Sequence, residues 1–358
     1  MRAYLPAAAG LAVFVLTCGS AAPAVADSGP SAAFRITDPR ITESSGLVAS
    51  RLHPGVYWTH NDSGDGPYVY AVDSATGKTV ARVTMRGVNA RDVEAVSMGP
   101  DGDLYVGDIG DNLDGTWPEV WIYRFAEPKA LRDQTVDITR YTVKYDAGPR
   151  NAEALMVQPK TGRVYIASKN EKGGHLYEGP AKLSAQGVNF FRSIGDVPWV
   201  TDGAFSPDGT RLVLRGYFWA DAYRWVDGRP QRIGSLTLPM QRQGESVAFT
   251  RDGRAVMYGS EGSDSAVWRE PLRGAELPDS VAPAGARASD TTEATAKGTA
   301  TATATATASP AATNGTKGTD AENEHLNTGS KVKGLVVLLG IGAAGVGLRK
   351  LLRRGRRD

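Results

Sequence analysis

From about residue 33 to residue 275 the chain alternates short apolar runs with polar turns, and the alternation repeats with a period near fifty. Each unit opens on an acidic residue followed by a small residue and a short apolar stretch: "ESSGLVAS" at Glu43, "DVEAVSMG" with Glu94, "NAEALMVQ" with Glu153, "TDGAFSPD" with Asp202 and "GESVAFTR" with Glu245. These acids stand 51, 59, 49 and 43 positions apart. A second apolar strand follows each of them: "VYWTHND", "LYVGDIG", "VYIASKN", "LVLRGYF" and "VMYGSEG". Turn signals such as "PDG" (100–102 and 207–209), "PKTG" (159–162) and "RDG" (251–253) separate first from second strand, as hairpins require. A third strand carries an aromatic near its middle ("YVYAVD", "WIYRF", "HLYEG", "AYRWV", "AVWRE"), and a weaker fourth is visible in most units. Helical periodicity is nearly absent.

Tandem units of four short antiparallel strands predict an all-β fold, a five-bladed β-propeller over residues 32–275, with six blades as the alternative. The fifth unit stops after three strands, at "AVWREPL". The segment "AAFRITD" (32–38) is expected to supply its fourth strand, closing the last blade and removing an open sheet edge.

The ends of the chain add an export and anchoring layout. Arg2, the apolar run "LAVFVLTCG" and the small residues Ala24-Val25-Ala26 read as a signal peptide over residues 1–26. Cys18 is the only cysteine, so a mature chain starting at residue 27 has no disulfide, no thiol nucleophile and no Cys-ligated zinc site. Residues 276–333, rich in Thr and Ala, are too poor in large apolar side chains to repay the entropy of folding and are expected to be a disordered stalk. Residues 334–352 are expected to form a transmembrane anchor, with 353–358 as a basic cytoplasmic tail. That layout places the chain at the cell membrane as a single-pass protein with its folded part outside. Cell-wall attachment through "HLNTG" (325–329) is less favoured, because the motif lacks the expected Leu and Pro. Removing Arg2 and the basic last ten residues turns the net charge from +2 for the whole chain to −4 for residues 27–348. An acidic exported part gives nucleic acid nothing to bind.

An acidic residue at the start of each first strand predicts a ring of Glu43, Glu94, Glu153, Asp202 and Glu245. Carboxylates that face one another repel unless they are protonated, paired or bound to a cation. Calcium suits such a ring, since it accepts six to eight oxygens in loose geometry. Asn61, Asp62, Asp108, Asp111, Asn112, Lys169, Arg215 and Glu261 follow the second strands and are expected to form an outer shell at the same rim. For any single acid, an ordinary hydrogen-bonding role weighs as much as ligation. Of the histidines only His60 falls near this rim, and Tyr217, Phe218 and Trp219 are candidates to line a pocket.

The acidic motifs "ESSGLV", "AEAL" and "GESVAF", with the "NDSG" and "GDIGDN" segments, resemble those of secreted calcium-dependent apyrases and of bacterial phytase-like propellers. The resemblance implies hydrolysis of phosphate esters or anhydrides. No Gly-x-Ser-x-Gly elbow, His-Glu-x-x-His or P-loop occurs, so common hydrolase and nucleotide-binding motifs add nothing. The sequence therefore leads to an extracytoplasmic, membrane-anchored, calcium-stabilised module that binds a small ligand or an extracellular protein or peptide. The alternatives are a calcium-dependent phosphoester hydrolase and a purely structural domain.

Overall fold

The structure, a computed structural model, describes residues 31–283 except residues 63 and 114. Among them are twenty-one strands and one single-turn 3-10 helix, Gly274–Glu276. Strands β2 (Ser44–Ala49), β3 (Val56–Asn61), β4 (Tyr68–Asp73) and β5 (Thr79–Met85) form an antiparallel meander, extended by a parallel edge strand, β9 (Gln134–Val136). Strands β15 (Asp202–Phe205), β16 (Arg211–Arg215), β17 (Ala220–Val226) and β18 (Arg229–Ser235) form a second meander. A third sheet joins β19 (Gly244–Phe249), β20 (Ala255–Ser260) and β21 (Ala266–Pro271) to β1 (Ser31–Arg35), which pairs antiparallel with β21.

The fourth sheet has eight strands. Its two halves are β6 (Val93–Met98), β7 (Asp103–Asp108), β8 (Val120–Ala126) and β10 (Thr139–Tyr145), and β11 (Ala152–Val157), β12 (Val164–Ser168), β13 (Gly174–Glu178) and β14 (Val188–Val197). Thr142–Tyr145 of β10 pairs in parallel with Val188–Phe191 of β14 and fuses the halves in the order β11-β12-β13-β14-β10-β8-β7-β6. The end strands β6 and β11 come back into contact, so this sheet is nearly closed on itself. The expectation of a β-propeller made of five (or six) discrete four-stranded blades is corrected accordingly. Backbone hydrogen bonding divides the strands into sheets of four, eight, four and five, not into equal separate blades. Hairpins are local and leave turn signals, whereas the parallel pairing of β10 with β14 joins distant segments and leaves none in the sequence.

Burial explains which residues occupy which strands. β3, β11, β19 and β20 are buried along their whole length and read as continuous apolar runs broken only by polar residues that face the rim. The outer strands β5 and β10 keep an in–out alternation because one face meets solvent. The turns "PDG" and "RDG" need a left-handed residue, and Gly102, Gly209 and Gly253 take it with φ of 83°, 69° and 69°.

The strands β2, β6, β11, β15 and β19 pack side by side in one cycle, each against the next and β19 against β2. Apolar layers fill the spaces between successive sheets. In one, Trp58 and Val69 meet Val93, Val96, Leu104 and Tyr123; in another, Met156 and Tyr165 meet Leu212 and Leu214. Phe34 of β1 and Val267 of β21 pack with Leu47, Tyr57 and Tyr70. The cycle of first strands brings five strand starts to one rim.

No helix among the described residues is long and apolar enough to cross a membrane. The expected anchor at 334–352 lies outside the described residues, as do the signal peptide, most of the stalk, the basic tail and residues 325–329. Membrane attachment through a C-terminal helix, and the single-pass location that depended on it, are therefore not carried forward. Residues just past 275 remain in contact with the fold: Asp279 pairs with Arg211 at 2.9 Å, and the Ser280 N–H donates to Asp208 at 2.8 Å.

Candidate metal centre

The local geometry of the site comes from an irregularity repeated in four of the five first hairpins. The ladder skips a residue between Ser44 and Gly46, between Val93 and Ala95, and between Ala152 and Ala154, and it skips two residues between Gly244 and Val247. Such a bulge re-aims the skipped side chain. The residues it re-aims are Ser45, Glu94, Glu153 and, with Ser246, Glu245. Glu94, Glu153 and Glu245 thus occupy equivalent places. In the first unit the place belongs to Ser45, not to Glu43.

Glu43 lies two residues earlier, half-buried, and its carbonyl accepts from the Asp62 N–H at 2.9 Å. Asn151 and Gln243 stand in the same place in their units, accepting from Lys169 N–H and Glu261 N–H. Asp92 is their counterpart before β6, two residues ahead of Glu94. Asp202 also departs from the expected ring. The β15–β16 ladder has no skipped residue, and the Asp202 carboxylate accepts from the Val247 N–H (2.8 Å) and the Gly203 N–H (2.7 Å). Burial pushes its pKa well above the usual carboxylate range, although those two donors and Arg215 pull the other way. It links two neighbouring first strands.

Among the described residues, Asp62, Asp92 and Glu94 form an acidic group able to hold a metal ion. All three are buried, and one carboxylate oxygen of each lies within 4.8 Å of the others. These residues can coordinate a divalent cation: they offer hard oxygen donors and no sulfur, and their carboxylates are close enough to share one ion. Gly110 stands directly over them. A Cβ there would sit 2.5 Å from Glu94 Oε1 and 2.7 Å from Asp92 Oδ2, so the backbone approach requires glycine. Asn112 donates from Nδ2 to Asp92 Oδ2 at 3.0 Å and orients that carboxylate.

The rest of "GDIGDN" is bracing. Asp108 is completely buried and accepts from the Asp92 N–H (2.9 Å), the Arg91 N–H and the Tyr123 hydroxyl (2.9 Å). Burial raises its pKa, and these donors oppose the rise. Asn61 repeats the device one unit earlier, its Oδ1 accepting from the N–H groups of Thr42 and Glu43, both at 3.0 Å. Asp111 accepts from the Thr116 hydroxyl and the Trp117 N–H, while its own N–H donates to Asn151 Oδ1. His60 is fully buried beneath Gly46, with Nδ1 against the Asn61 carbonyl, and burial lowers its pKa.

On the other side of Glu94 lies a cationic pair of positions. Lys169 Nζ is 2.7 Å from Glu153 Oε1. Burial works to lower the lysine pKa, but the charges of Glu153, Glu245 and Glu94 and the adjacent Tyr217 hold it well above the ordinary value. Burial also brings the Arg215 pKa down to about 10, leaving it charged at neutral pH. Its guanidinium donates to Gly216 O, Gln241 Oε1, Ser246 O and Gly259 O. Gln243 bridges Glu245 Oε1 and Glu261 through its Nε2. Glu94, Glu153 and Glu245 thus act together on Lys169, while Asp202, Asp108 and Asp111 serve as acceptors for backbone N–H and hydroxyl donors. Asp92 is the residue sequence reasoning missed. Its signal was the Asp-x-Glu spacing with Glu94, which only the bulge makes convergent.

No family model matches the sequence, and no curated protein matches it. Solved structures similar to it include a protein assigned as a 6-phosphogluconolactonase from Bacteroides uniformis, at 12% identity and a TM-score of 0.39, over 66% of this chain and 69% of that one. An auxiliary nutrient binding protein from Bacteroides thetaiotaomicron matches at 10% identity and a TM-score of 0.41, over 67% and 75%. The protein U3-55K matches at 10% identity and 0.37, over 64% and 68%. With no family match and sheets that are not discrete blades, the resemblance to calcium-dependent apyrase and phytase-like propellers is withdrawn. The reading as a membrane-anchored binding module goes with it, since it rested on those blades and on a C-terminal helix.

Proposed function

We propose that this protein is a calcium-dependent hydrolase of phosphoesters. The observation that carries the reading is that the carboxylates of Asp62, Asp92 and Glu94 gather at the start of β6, which packs against β11, the strand that carries Glu153 of the buried Lys169–Glu153 pair. Asp62, Asp92 and Glu94 would hold the cation, and calcium suits their all-oxygen set. When bound, it supplies charge that polarises a phosphoryl oxygen and acidifies bound water.

The remaining chemistry belongs to the chain. As the water oxygen bonds to phosphorus and the ester P–O bond breaks, Glu153 takes a proton from that water and the departing alcohol oxygen takes one from solvent. Protonation ends its charge pairing with Lys169 and leaves the ammonium to the anionic phosphoryl oxygen. Glu245 maintains the negative field that keeps Lys169 protonated. The depth of the rim lowers the effective dielectric, so each of these interactions is stronger than in water.

The test is turnover of 4-nitrophenyl phosphate and bis(4-nitrophenyl) phosphate by the purified chain, in millimolar calcium and in chelator. Calcium-dependent release of nitrophenol that falls at least about a hundredfold in Glu153→Gln supports the proposal. Calcium binding by calorimetry without turnover of either ester overturns it and leaves a structural cation site.

A further inference from the structure

A cavity of about 140 Å³ lies where β8 and β10 meet β14, at the parallel ladder that fuses the two halves of the eight-stranded sheet. Its inner wall is buried. Val120 and Val143 are partners across the β8–β10 ladder, and with Tyr145 they belong to the apolar layer against which Trp117 packs. Phe190, which also lines the cavity, is 59% exposed, so the cavity opens from this layer to solvent past a large aromatic ring. Lys144 is the ladder partner of Phe190, which sets a basic and an aromatic residue side by side at the opening.

Volume sets the size of what can enter. An apolar cavity of about 150 Å³ admits a benzene molecule, so this one takes a single six-membered ring and little more. Trp117, Tyr145 and Phe190 offer ring faces and edges to a flat aromatic guest. A sugar ring, with a hydroxyl on nearly every carbon, would leave most of them unpaired against so apolar a lining. Charge sets what the ring carries. Lys144 is the one basic residue of the lining and Glu119 the one acidic. Lys144 Nζ stands 4.0 Å from Glu119 Oε2 with both side chains more than a third exposed, a contact of little strength. Two guanidinium groups back the wall. Arg91 Cζ lies 4.1 Å from the centroid of the Trp117 ring, and Arg91 donates to the Glu119 carbonyl at 3.0 Å. Arg150 Cζ lies 5.8 Å from the centroid of the Tyr145 ring, and its Nε donates to the Gly148 carbonyl at 3.1 Å. In the lining and against these residues, three positive charges outweigh one negative, which favours an anion.

We infer that this cavity binds a small monocyclic aromatic carboxylate, with its ring among Trp117, Tyr145 and Phe190 and its carboxylate on the Lys144 ammonium at the opening. The ring gains from leaving water for an aromatic lining, and the carboxylate stays at the solvated mouth where its charge is met. None of the lining residues belongs to the cation cluster, and the inference does not rest on the hydrolase reading.

Ligand-observed NMR on the full purified chain tests this with phenylacetate and its neutral counterpart, phenylacetamide. The titrations are run in chelator, so their result is independent of the cation cluster and of phosphoester turnover. Saturation transfer to the phenylacetate ring is expected, with phenylacetate binding about fivefold more tightly than the amide. Lys144→Ala is expected to remove that preference by weakening phenylacetate about fivefold while leaving the amide unchanged. Glu119→Gln is expected to strengthen phenylacetate about twofold. Phe190→Ala is expected to weaken both compounds about fivefold. None of these three positions is buried, so the variants leave the core intact. Loss of the acid's advantage in Lys144→Ala, together with weaker binding of both compounds in Phe190→Ala, supports the inference. No saturation transfer to phenylacetate, equal affinity for the acid and the amide, or binding indifferent to both Lys144→Ala and Phe190→Ala overturns it.

Discussion

Glu94→Gln removes one charge from a group of three whose oxygens lie within 4.8 Å of one another. At that separation and an effective dielectric near 20, each like-charge pair is worth at least about 3 kcal/mol of repulsion. The substitution relieves two of the three pairs and forfeits the attraction between Glu94 and Lys169, so the cation-free protein is expected to melt within a few degrees of wild type. The response to calcium is expected to fall sharply. Binding to the folded state alone stabilises by about 2.7 kcal/mol at a hundredfold excess over Kd, or roughly 5–10 °C for a domain of this size. Differential scanning calorimetry in chelator and in millimolar calcium reads both effects on the same samples. The wild-type chain should show the full upward shift and Glu94→Gln a small fraction of it. Gly110→Ala should match the loss, because its methyl group would crowd Glu94 Oε1 and Asp92 Oδ2. A full calcium shift in Glu94→Gln, or none in the wild type, would refute the assignment of the cation to this cluster.

Other substitutions test the scaffold that holds the cluster. Asp108→Asn should fold within about 1 kcal/mol of wild type, since Asn61 accepts the corresponding pair of backbone N–H groups one unit earlier, whereas Asp108→Ala leaves buried donors unsatisfied and should cost about 2–4 kcal/mol by urea melts. Burial raises the Asp108 pKa in the folded state, so its contribution to stability declines as pH rises from the unfolded value near 3.8 through the folded value. Asp108→Asn should flatten that part of the pH–stability curve, and an unchanged curve would contradict the assignment. Glu127 accepts from Ser50 Oγ, the Arg51 and Leu52 N–H groups and Trp58 Nε1, so Glu127→Ala should cost about 3–5 kcal/mol and alter Trp58 emission, an effect that denaturant titration followed by fluorescence would detect. Deleting residues 31–35 strips β1 from β21 and exposes the edge beside Phe34; a melting temperature within a degree or two of wild type would show that this strand contributes nothing.

The alternation of apolar and polar residues was sufficient to locate the hairpins, because side-chain direction in a strand alternates with every residue and turn residues mark the ends. It also grouped Glu94, Glu153 and Glu245 with Glu43 and Asp202, and the ladder irregularities put the first three, but not the last two, at equivalent places. Two things depended on tertiary structure. One was the division into sheets: the outer strands β10 and β14 join through a parallel ladder between residues 142–145 and 188–191, and backbone pairing of this kind is indifferent to side-chain pattern. The other was the composition of the site. The residue skipped in four of the five first hairpins decides which side chain turns toward the rim: Glu94 is brought together with Asp92 and Asp62, Ser45 stands where Glu43 was expected, and Asp202, in the hairpin without a skip, accepts from a neighbouring backbone N–H. A bulge moves a side chain to the other face of a strand without changing the residue types around it. Those residue types are all that a reading of the chain records, while convergence of charge is a property of the folded backbone.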